Sequence, residues 1–204
     1  MLKRHLATAL AIVVLAAPAA AATCGNSAKG FDQWLKSFRA EAAANGLSRR
    51  AIAALDDVEY DPVIVKKDRA QNVFSQSFLE FSGRMVSDYR IKQGAALVKK
   101  HKRIFGRVEE EYGVPAPVIV AFWALETDFG ANIGDLPILQ SLATLAWDCR
   151  RPEKFRPQLM AALDLIHKGD LSPAEMRGAW AGEIGQTQFL PLDYYESAVD
   201  FDGD

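Results

Sequence analysis

The sequence predicts a mainly α-helical protein. Apolar residues recur at three- and four-residue spacing in several segments, and Gly or Pro residues stand where those segments begin or end. No alternation of apolar and polar residues continues for more than a few positions, so no long β-strand is expected. A chain of 204 residues can form one domain with a sizeable core.

The first half of the chain contains three predicted helices. The apolar spacing that starts at Phe31 predicts the first, which ends at the Asn45-Gly46 pair. A short helix over 48–55, an extended stretch over 60–63 and a helix along the apolar stripe 97–112 follow in order. We interpret His101, which lies on that stripe, as a packed histidine rather than a catalytic one.

The second half contains four more predicted helices. Pro115 and Pro117 precede an unbroken apolar run over 118–125 and Gly130 follows it, which indicates a buried helix with Glu126 in its last turn. Helices are also expected around 136–147, 155–168 and 173–177. The last of these follows a Ser-Pro-Ala-Glu sequence, which is a capping-box pattern with Pro at the first helical position.

Glu126 is the first candidate for chemistry. A carboxylate beside Trp123 and Phe129 would be poorly solvated, which would raise its pKa and keep it protonated near neutral pH. A general acid that protonates a leaving oxygen needs that protonation state. A Glu at a helix end that points to water is the alternative interpretation, and this segment alone leaves both open.

A second segment, residues 178–191, has the composition of a sugar-binding loop. It reads Gly-Ala-Trp-Ala-Gly-Glu-Ile-Gly-Gln-Thr-Gln-Phe-Leu-Pro and combines three glycines, two glutamines and two aromatic residues. Small residues permit close backbone approach, and amides with aromatic faces suit polar, ring-shaped ligands.

The composition excludes several classes of function. A net charge of -2 gives no reason to expect nucleic acid or an anionic membrane surface as a partner. Three His and two Cys are too few, and wrongly spaced, for a usual zinc site. The sequence also lacks a Gly-rich phosphate loop and a dinucleotide fingerprint.

Residues 1–22 have the organisation of a secretory signal peptide. A basic start, an apolar centre over 6–15 and an alanine run precede residue 23, and the apolar part is too short for a membrane span. We therefore expect a periplasmic protein that has no transmembrane segment after signal removal. Cys24 raises a lipoprotein anchor as an alternative, but Thr23 and Ala21 stand where a lipobox has a small residue and Leu.

Two cysteines in an exported protein suggest a disulfide. A Cys24–Cys149 bridge would close a loop of roughly 125 residues, which the chain-entropy model values at up to about 4–5 kcal/mol. A buried free Cys149 with an unpaired Cys24 is the alternative, because the sequence does not show whether the two Cα atoms lie close together.

Several motifs in the right order resemble the lytic murein transglycosylases of the membrane-bound B type, glycoside hydrolase family 103. These motifs are Glu-Thr-Asp-Phe-Gly at 126–130, the stretch 142–151, the segment 178–191 and Ala-Val-Asp-Phe-Asp-Gly-Asp at 198–204. The resemblance implies a lysozyme-like helical core of the goose-type or SLT kind. It also implies an N-terminal helical part over about 31–112 and a catalytic core part over about 113–204, with the C-terminal part of the core missing.

The resemblance implies an activity on peptidoglycan glycan strands that requires no cofactor. The β-1,4 bond between N-acetylmuramic acid and N-acetylglucosamine would be cleaved to leave a 1,6-anhydro end. Glu126 matches the family's catalytic Glu, which first protonates the leaving oxygen and then removes the C6 hydroxyl proton. Gln188 and Phe189 match the Gln-Phe pair of the sugar groove.

Other matched positions leave alternatives open. Arg150 and Arg151 fall on the family's Arg-Arg pair, where a guanidinium could meet lactyl or peptide carboxylates, or they are surface charges paired with Asp148 or Glu153. Ala179 departs from the family, in which many members carry a Ser able to hydrogen-bond the catalytic Glu. A peptidoglycan-binding protein without turnover and a hydrolytic muramidase are the alternative functions.

The last residues resemble the opening of a calcium loop. Asp200, Asp202 and Asp204 stand at relative positions 1, 3 and 5 of an EF-hand-like loop, but the later ligands are not in the sequence. We therefore expect calcium only in a longer form of the protein.

Overall fold

A computed structural model of the chain describes residues 24–70, 76–201 and 203, and the predicted signal peptide lies outside this part. The described helices are α1 (Phe31–Ala44), α2 (Arg49–Ala53), α3 (Pro62–Arg69), α4 (Phe78–Met85), α5 (Asp88–Lys100), α6 (Lys102–Tyr112), α7 (Ala116–Thr127), α8 (Ile138–Trp147), α9 (Pro152–Lys168) and α10 (Pro191–Ser197). The two short strands are β1 (Leu136–Pro137) and β2 (Arg177–Gly178). The predicted mainly helical class is confirmed.

Helix α8 lies at the centre of the core. Almost all of its side chains are buried, and it packs against α9 while α1 and α3 cover its other sides. Leu142 and Leu145 on α8 meet Leu159 and Leu163 on α9, all fully buried. Because full burial of such a side chain contributes about 1.5–3 kcal/mol, this helix pair supplies much of the stability of the fold.

The N-terminal segment is fixed to the end of α8 by a disulfide and by hydrogen bonds. Cys24 and Cys149 are joined with their Cα atoms 5.0 Å apart. The Gly25 N–H donates to the carbonyl oxygen of Trp147 at 2.9 Å, and the Trp147 indole donates to the carbonyl oxygen of Ser27 at 2.8 Å. The structure thus has the bridged arrangement rather than the free-cysteine alternative.

A second group of helices, α5 to α7, packs beside this core. Helix α7 packs against α5 and α6, and an open apolar cavity of about 500 Å³ lies between α5 and α7. Gly94 on α5 permits the close approach, because a Cβ atom there would lie 3.1 Å from the Val120 side chain. The predicted division of the chain near residue 112 remains a prediction.

The two strands connect the start of α8 to the loop that follows β2. They pair antiparallel, with Leu136 opposite Gly178 and Pro137 opposite Arg177. Gly178 is required at this point, since a Cβ atom would lie 2.0 Å from the carbonyl oxygen of Glu183. The hairpin therefore fixes where the predicted sugar-binding loop begins.

Three predicted elements are wrong. The stretch 60–63 is not extended throughout, because Asp61 caps the Val63 N–H at 2.8 Å and α3 begins at Pro62. The stripe 97–112 is divided at His101 between α5 and α6. Residues 173–175 form a turn instead of a helix, because Arg177 pairs with Pro137 in the hairpin.

The apolar sequence of α7 predicts a helix that is buried on all sides, and this prediction is wrong. It buries Val120, Ala124 and Thr127, while Val118 and Phe122 on the opposite face are exposed, Phe122 to 60%. Hydrophobicity alone does not show which faces of a helix another element covers, and the elements that the structure describes cover one face of α7. In the part of the chain that the structure describes, no helix is long and apolar enough to span a membrane.

Candidate active site

Glu126 lies in the last turn of α7 on the exposed face of that helix. Leu125 and Phe122 are exposed beside it, and the Glu126 side chain itself is exposed. The predicted apolar enclosure of this carboxylate is therefore wrong for the described residues, and the open alternative, a helix-end Glu that faces water, fits the structure. An exposed carboxylate is also one that a large ligand can reach.

The chain turns sharply where α7 ends. Asp128, Phe129 and Gly130 have successive φ angles of 49°, 62° and 88°, all in the left-handed region. This conformation costs a non-glycine residue roughly 1–3 kcal/mol and persists only where surrounding contacts hold it. Among the described residues, Gln188 is the one other non-glycine residue with a positive φ, of 54°, and it lies in the second predicted segment.

Asp128 is a structural residue in this turn. The Arg90 Nε atom donates to its carboxylate at 2.6 Å, and the Asn132 amide nitrogen donates to the other oxygen at 3.0 Å. The hydrogen bond from Arg90 is the main cause that holds the pKa of Asp128 below its ordinary value. A carboxylate held in this way stays ionised and has both oxygens occupied.

Residues 185–189, which we call the glutamine loop, are attached to the end of α7. The buried Thr127 hydroxyl donates to the carbonyl oxygen of Gln186 at 2.7 Å and accepts from the Gly130 N–H at 3.0 Å. The Trp123 indole donates to the Gln186 side-chain oxygen at 2.7 Å. These contacts place the turn that contains Glu126 directly beside the glutamine loop.

Gln188 and Phe189 lie in this loop. The Gln188 amide nitrogen donates to the carbonyl oxygens of Gly185 and Ile133, at 2.9 and 3.2 Å, so its side chain is fixed. No donor within the described residues pairs with the Gln188 Oε1 atom, so this is the atom that a ligand can use. The Phe189 ring is partly exposed, and its backbone oxygen accepts from the Ile184 N–H at 2.8 Å.

Ala179 and Glu183 form the other side of the segment. The Ala179 N–H donates to the carbonyl oxygen of Glu183 at 3.0 Å, and its carbonyl accepts from the Gly182 N–H at 3.2 Å. One carboxylate oxygen of Glu183 is buried without a hydrogen-bond partner in the described part of the chain. Ala179 has no polar side-chain atom to offer there, and its contribution to ligand binding remains a prediction.

Arg150 and Arg151 face a carboxylate other than the two predicted ones. Both guanidinium groups bind Asp68, while Asp148 pairs with Arg69 instead. The predicted pairing with Asp148 is found only at the backbone, where the Arg150 N–H donates to it at 3.0 Å. Their contact with a ligand carboxylate remains a prediction.

The predicted calcium loop is described only in part, because Asp202 and Asp204 lie outside the described residues. Asp200 accepts from the Gly203 N–H at 2.7 Å, and the Arg107 guanidinium lies 4.7 Å from the centre of the Phe201 ring. In the described residues, no group of three or more His, Cys, Asp or Glu side chains could hold a metal ion. Calcium binding in a longer form stays a prediction.

Sequence reasoning did not identify the residues that hold the site together. Thr127 and Gln186 lie inside the motifs at 126–130 and 178–191, but a single sequence does not distinguish a hydroxyl that holds two segments together from one exposed to solvent. Asp68 follows two lysines and precedes Arg69, a run that is typical of a solvated surface. Its burial depends on how α3 packs on the end of α8, which local patterns do not show.

Residues 30–204 match the family described as Transglycosylase SLT domain. Membrane-bound lytic murein transglycosylase B of Escherichia coli (strain K12) is 31% identical over 129 residues, which are 63% of this chain and 36% of that protein. SltB3 from Pseudomonas aeruginosa, solved in complex with NAG-NAM-pentapeptide, is 40% identical with a TM-score of 0.80, over 85% of this chain and 47% of that one. SltB3 has also been solved in complex with NAG-anhNAM-pentapeptide.

Soluble lytic transglycosylase SltB1 from Pseudomonas aeruginosa is 32% identical with a TM-score of 0.76, over 83% of this chain and 58% of that one. These similarities confirm the predicted lysozyme-like SLT fold. The chain spans between 36% and 58% of the length of these three relatives.

Proposed function

The chain belongs to the transglycosylase SLT domain family, and on this premise we propose that it is a lytic murein transglycosylase. The substrate is the peptidoglycan glycan strand, and the reaction cleaves the β-1,4 bond between N-acetylmuramic acid and N-acetylglucosamine. The observation that carries this proposal is the attachment of the glutamine loop to the end of α7, which places Gln188 and Phe189 beside the turn of Glu126. The glycopeptides bound to SltB3 support the choice of substrate.

Glu126 performs both proton transfers in this mechanism. Its carboxyl group donates a proton to the glycosidic oxygen as the bond from that oxygen to C1 of the muramoyl residue breaks. The resulting carboxylate then takes the proton of the muramoyl C6 hydroxyl while that oxygen bonds to C1, which closes the 1,6-anhydro ring and restores the acid. One carboxyl group is sufficient because the substrate supplies the nucleophile.

The state of Asp128 favours this reaction over hydrolysis by a retaining glycosidase. Such an enzyme places a second carboxylate at about 5 Å from the acid as its nucleophile. Asp128 is the neighbouring carboxylate in sequence, but Arg90 and Asn132 bind its two oxygens. A carboxylate whose lone pairs are used in this way is a poor nucleophile.

Gln188 and Phe189 hold the sugar in the site. Phe189 offers a partly exposed aromatic face to a pyranose ring, and the Gln188 Oε1 atom accepts from an N–H or O–H group of the sugar. Because both donors of the Gln188 amide bind backbone oxygens, the orientation of its acceptor is set before the ligand arrives.

We place the protein outside the cytoplasm, in the periplasm. The target bond lies in the cell wall, and the Cys24–Cys149 disulfide is the kind of bond that persists in an oxidising compartment. The signal-peptide organisation of residues 1–22 leads to the same location.

Binding of peptidoglycan without turnover is the second candidate function. The exposed Val118, Phe122 and Leu125 leave the Glu126 side of α7 open to water. Water-exposed electrostatic groups act more weakly on a transition state than enclosed ones, so this openness favours a site that binds but reacts slowly.

Digestion of purified sacculi by the 204-residue chain, followed by mass analysis of the released muropeptides, distinguishes these functions. Anhydro ends support the transglycosylase, reducing ends support a hydrolytic muramidase, and sedimentation with sacculi without release supports the binding protein. Glu126→Gln keeps the size of the side chain but cannot cycle a proton, so release should fall at least about 10²-fold. Release within a few-fold of the parent rate removes Glu126 from the mechanism.

A further inference from the structure

Six large apolar side chains are exposed in α4 and at the start of α5. Phe78 and Leu79 are 78% and 79% exposed, and among the described residues these are the two highest values for a large apolar side chain. The other four are Phe81, Val86, Tyr89 and Ile91. Single exposed apolar residues are ordinary on a protein surface, but a group of neighbouring ones marks an interaction surface.

Helix α4 is amphipathic, and its apolar side is not covered. Phe78, Phe81 and Met85 lie at positions i, i+3 and i+7 and so share one face, while Glu80 and Arg84 lie on another side. None of the eight residues of α4 is buried. A helix of this length is marginally stable in water by itself, so a partner that covers its apolar face would also stabilise the helix.

The same part of the chain has a high positive charge. Residues 78–107 contain eight Lys and Arg residues and two Asp and Glu residues, a net charge of +6, whereas the whole chain has a net charge of -2. Lys92, Lys99 and Lys102 are exposed, and no salt bridge in the described part of the chain uses them. The overall charge gives no reason to expect an anionic membrane surface as a partner, but it conceals this basic region.

The basic side chains continue the surface that the exposed apolar residues begin. On α5, Tyr89, Lys92 and Lys99 lie at positions i, i+3 and i+10, within roughly a quarter turn of one another. The buried Gly94 and Leu97 lie on the opposite side of that helix. A connection of two residues separates α4 from α5. What we call the α4–α5 surface consists of Phe78, Leu79, Phe81, Tyr89, Lys92 and Lys99.

An anionic lipid bilayer fits both properties of this surface. A soluble polyanion would attract the lysines but offers no apolar phase to Phe78 and Leu79. A second copy of the chain offers apolar side chains, but a symmetric contact would place two regions of net charge +6 against each other. In a bilayer, anionic headgroups attract Lys and Arg, and the boundary of the acyl chains receives apolar side chains.

From these observations we infer that the α4–α5 surface docks on a bilayer that contains anionic phospholipid. Phe78 and Leu79 insert at the boundary of headgroups and acyl chains, and Lys92 and Lys99 lie at the level of the phosphates. This contact is binding to the membrane surface and not a membrane span. None of these four residues belongs to the candidate active site, and the inference does not rest on cleavage of a glycan strand.

Sedimentation with lipid vesicles tests this inference. The exported form of the chain, without residues 1–22, is used so that the apolar signal segment does not itself bind lipid. The vesicles consist of phosphatidylcholine with about one third phosphatidylglycerol, or of phosphatidylcholine alone. We expect binding to the anionic vesicles to be at least about tenfold tighter. Most of this difference should be lost at about 1 M salt, where the Debye length is about 3 Å.

The apolar contribution is measured with a pair of double variants. Phe78→Ser with Leu79→Ser should weaken binding to the anionic vesicles at least about tenfold, because the inserted apolar area is lost. The matched control is Val63→Ser with Val199→Ser, which removes apolar side chains that are 56% and 67% exposed in other parts of the chain. The control should change the affinity less than about twofold. All four side chains are exposed, so the Tm of each variant should remain close to that of the parent.

The charge contribution is measured with a second pair, which does not depend on the first. Lys92→Gln with Lys99→Gln should weaken binding to the anionic vesicles about tenfold and leave binding to phosphatidylcholine unchanged. The matched control is Lys36→Gln with Lys66→Gln, in which two exposed lysines of α1 and α3 lose their charge. It should change the affinity for either kind of vesicle less than about twofold.

Equal binding of the parent to both kinds of vesicle, or no binding to the anionic vesicles, overturns the inference. Equal effects of a test pair and its control pair overturn it as well. Dimerisation without vesicle binding, abolished by the Phe78 and Leu79 double variant, would assign the surface to a second copy. Binding to dextran sulfate without vesicle binding would assign it to a polyanion, and either result overturns the inference. Turnover of sacculi is a separate measurement, so failure of the proposed function is distinguishable from failure of membrane docking.

Discussion

Replacement of Thr127 by Val tests the attachment between α7 and the glutamine loop. The two side chains have nearly the same shape, so the change removes the hydroxyl and little else. Thr127 is 1% exposed, and its hydroxyl donates to the Gln186 carbonyl oxygen at 2.7 Å and accepts from the Gly130 N–H at 3.0 Å. Both partners lose a hydrogen bond, and the Gly130 N–H lies in a half-buried residue.

The expected loss of stability is about 2 kcal/mol, because an ordinary net hydrogen bond is worth about 1 kcal/mol and a buried unpaired partner adds to its loss. For a domain of this size, a loss of about 2 kcal/mol lowers Tm by roughly 4–8 °C. Calorimetry at neutral pH measures this change. Loss of the Thr127 hydrogen bonds should also reduce muropeptide release, since the glutamine loop is no longer held beside Glu126. This reduction should be larger than the fraction of unfolded protein accounts for.

Thr187→Val is the matched control. Thr187 lies in the same loop, is exposed, and makes no side-chain hydrogen bond within the described residues. Its replacement should change stability by less than about 0.5 kcal/mol. A Tm of the Thr127 variant within about 1 °C of the parent would show that the hydroxyl does not hold the loop.

Three further predictions concern the disulfide, the pH dependence of the Asp128–Arg90 ion pair, and calcium binding. Reduction of the Cys24–Cys149 bond, which closes a separation of 125 residues, should lower Tm by removing up to about 4–5 kcal/mol, and two free thiols in the unreduced, denatured protein would contradict the bridge. Because the folded-state pKa of Asp128 is lowered, its stabilisation is complete above the ordinary pKa and is lost as pH falls through the folded value. The Tm difference between the parent and Arg90→Gln should therefore shrink below about pH 4, and a constant difference would refute the pairing. Calcium should bind the 204-residue chain only at millimolar levels or not at all, and micromolar affinity by calorimetric titration would contradict the incomplete loop at Asp200.

Much of the helical framework could be predicted from the sequence because its signals are local. The Asn45-Gly46 pair ends α1, and Gly113 and Gly169 end α6 and α9 in the left-handed conformation that glycine favours. The sequence pattern from Ser172 to Glu175 also predicts a local contact, and the Ser172 N–H donates to the Glu175 carboxylate at 2.8 Å. It produced a turn rather than a helix because strand pairing at Arg177 is a non-local contact.

The geometry of the site could not be predicted to the same degree. The motif at 126–130 located Glu126, but its exposure depends on which elements cover α7. Asp68 shows the same limit for a residue predicted to be exposed. It stands in a charged run, yet it is buried and pairs with Arg150 and Arg151, which are distant in sequence. Burial of a side chain is a property of tertiary packing, and a single sequence gives only the local pattern.

Three residues with strained backbone conformations lie in the two segments that form the site. Asp128, Phe129 and Gln188 all have left-handed backbone conformations, at roughly 1–3 kcal/mol each. Both segments have local support, since the Phe129 N–H donates to the Trp123 carbonyl oxygen at 3.1 Å and the Gln188 amide donates to the Gly185 carbonyl oxygen at 2.9 Å. The contacts of Gln186 with Thr127 and Trp123 join the two segments. Because the Thr127 hydroxyl and the Trp123 indole both donate to Gln186, opening of the glutamine loop would break contacts at the end of α7. The positions of Glu126, the proposed catalytic residue, and of Gln188 and Phe189, the proposed sugar-binding residues, therefore depend on the same contacts between the end of α7 and the glutamine loop.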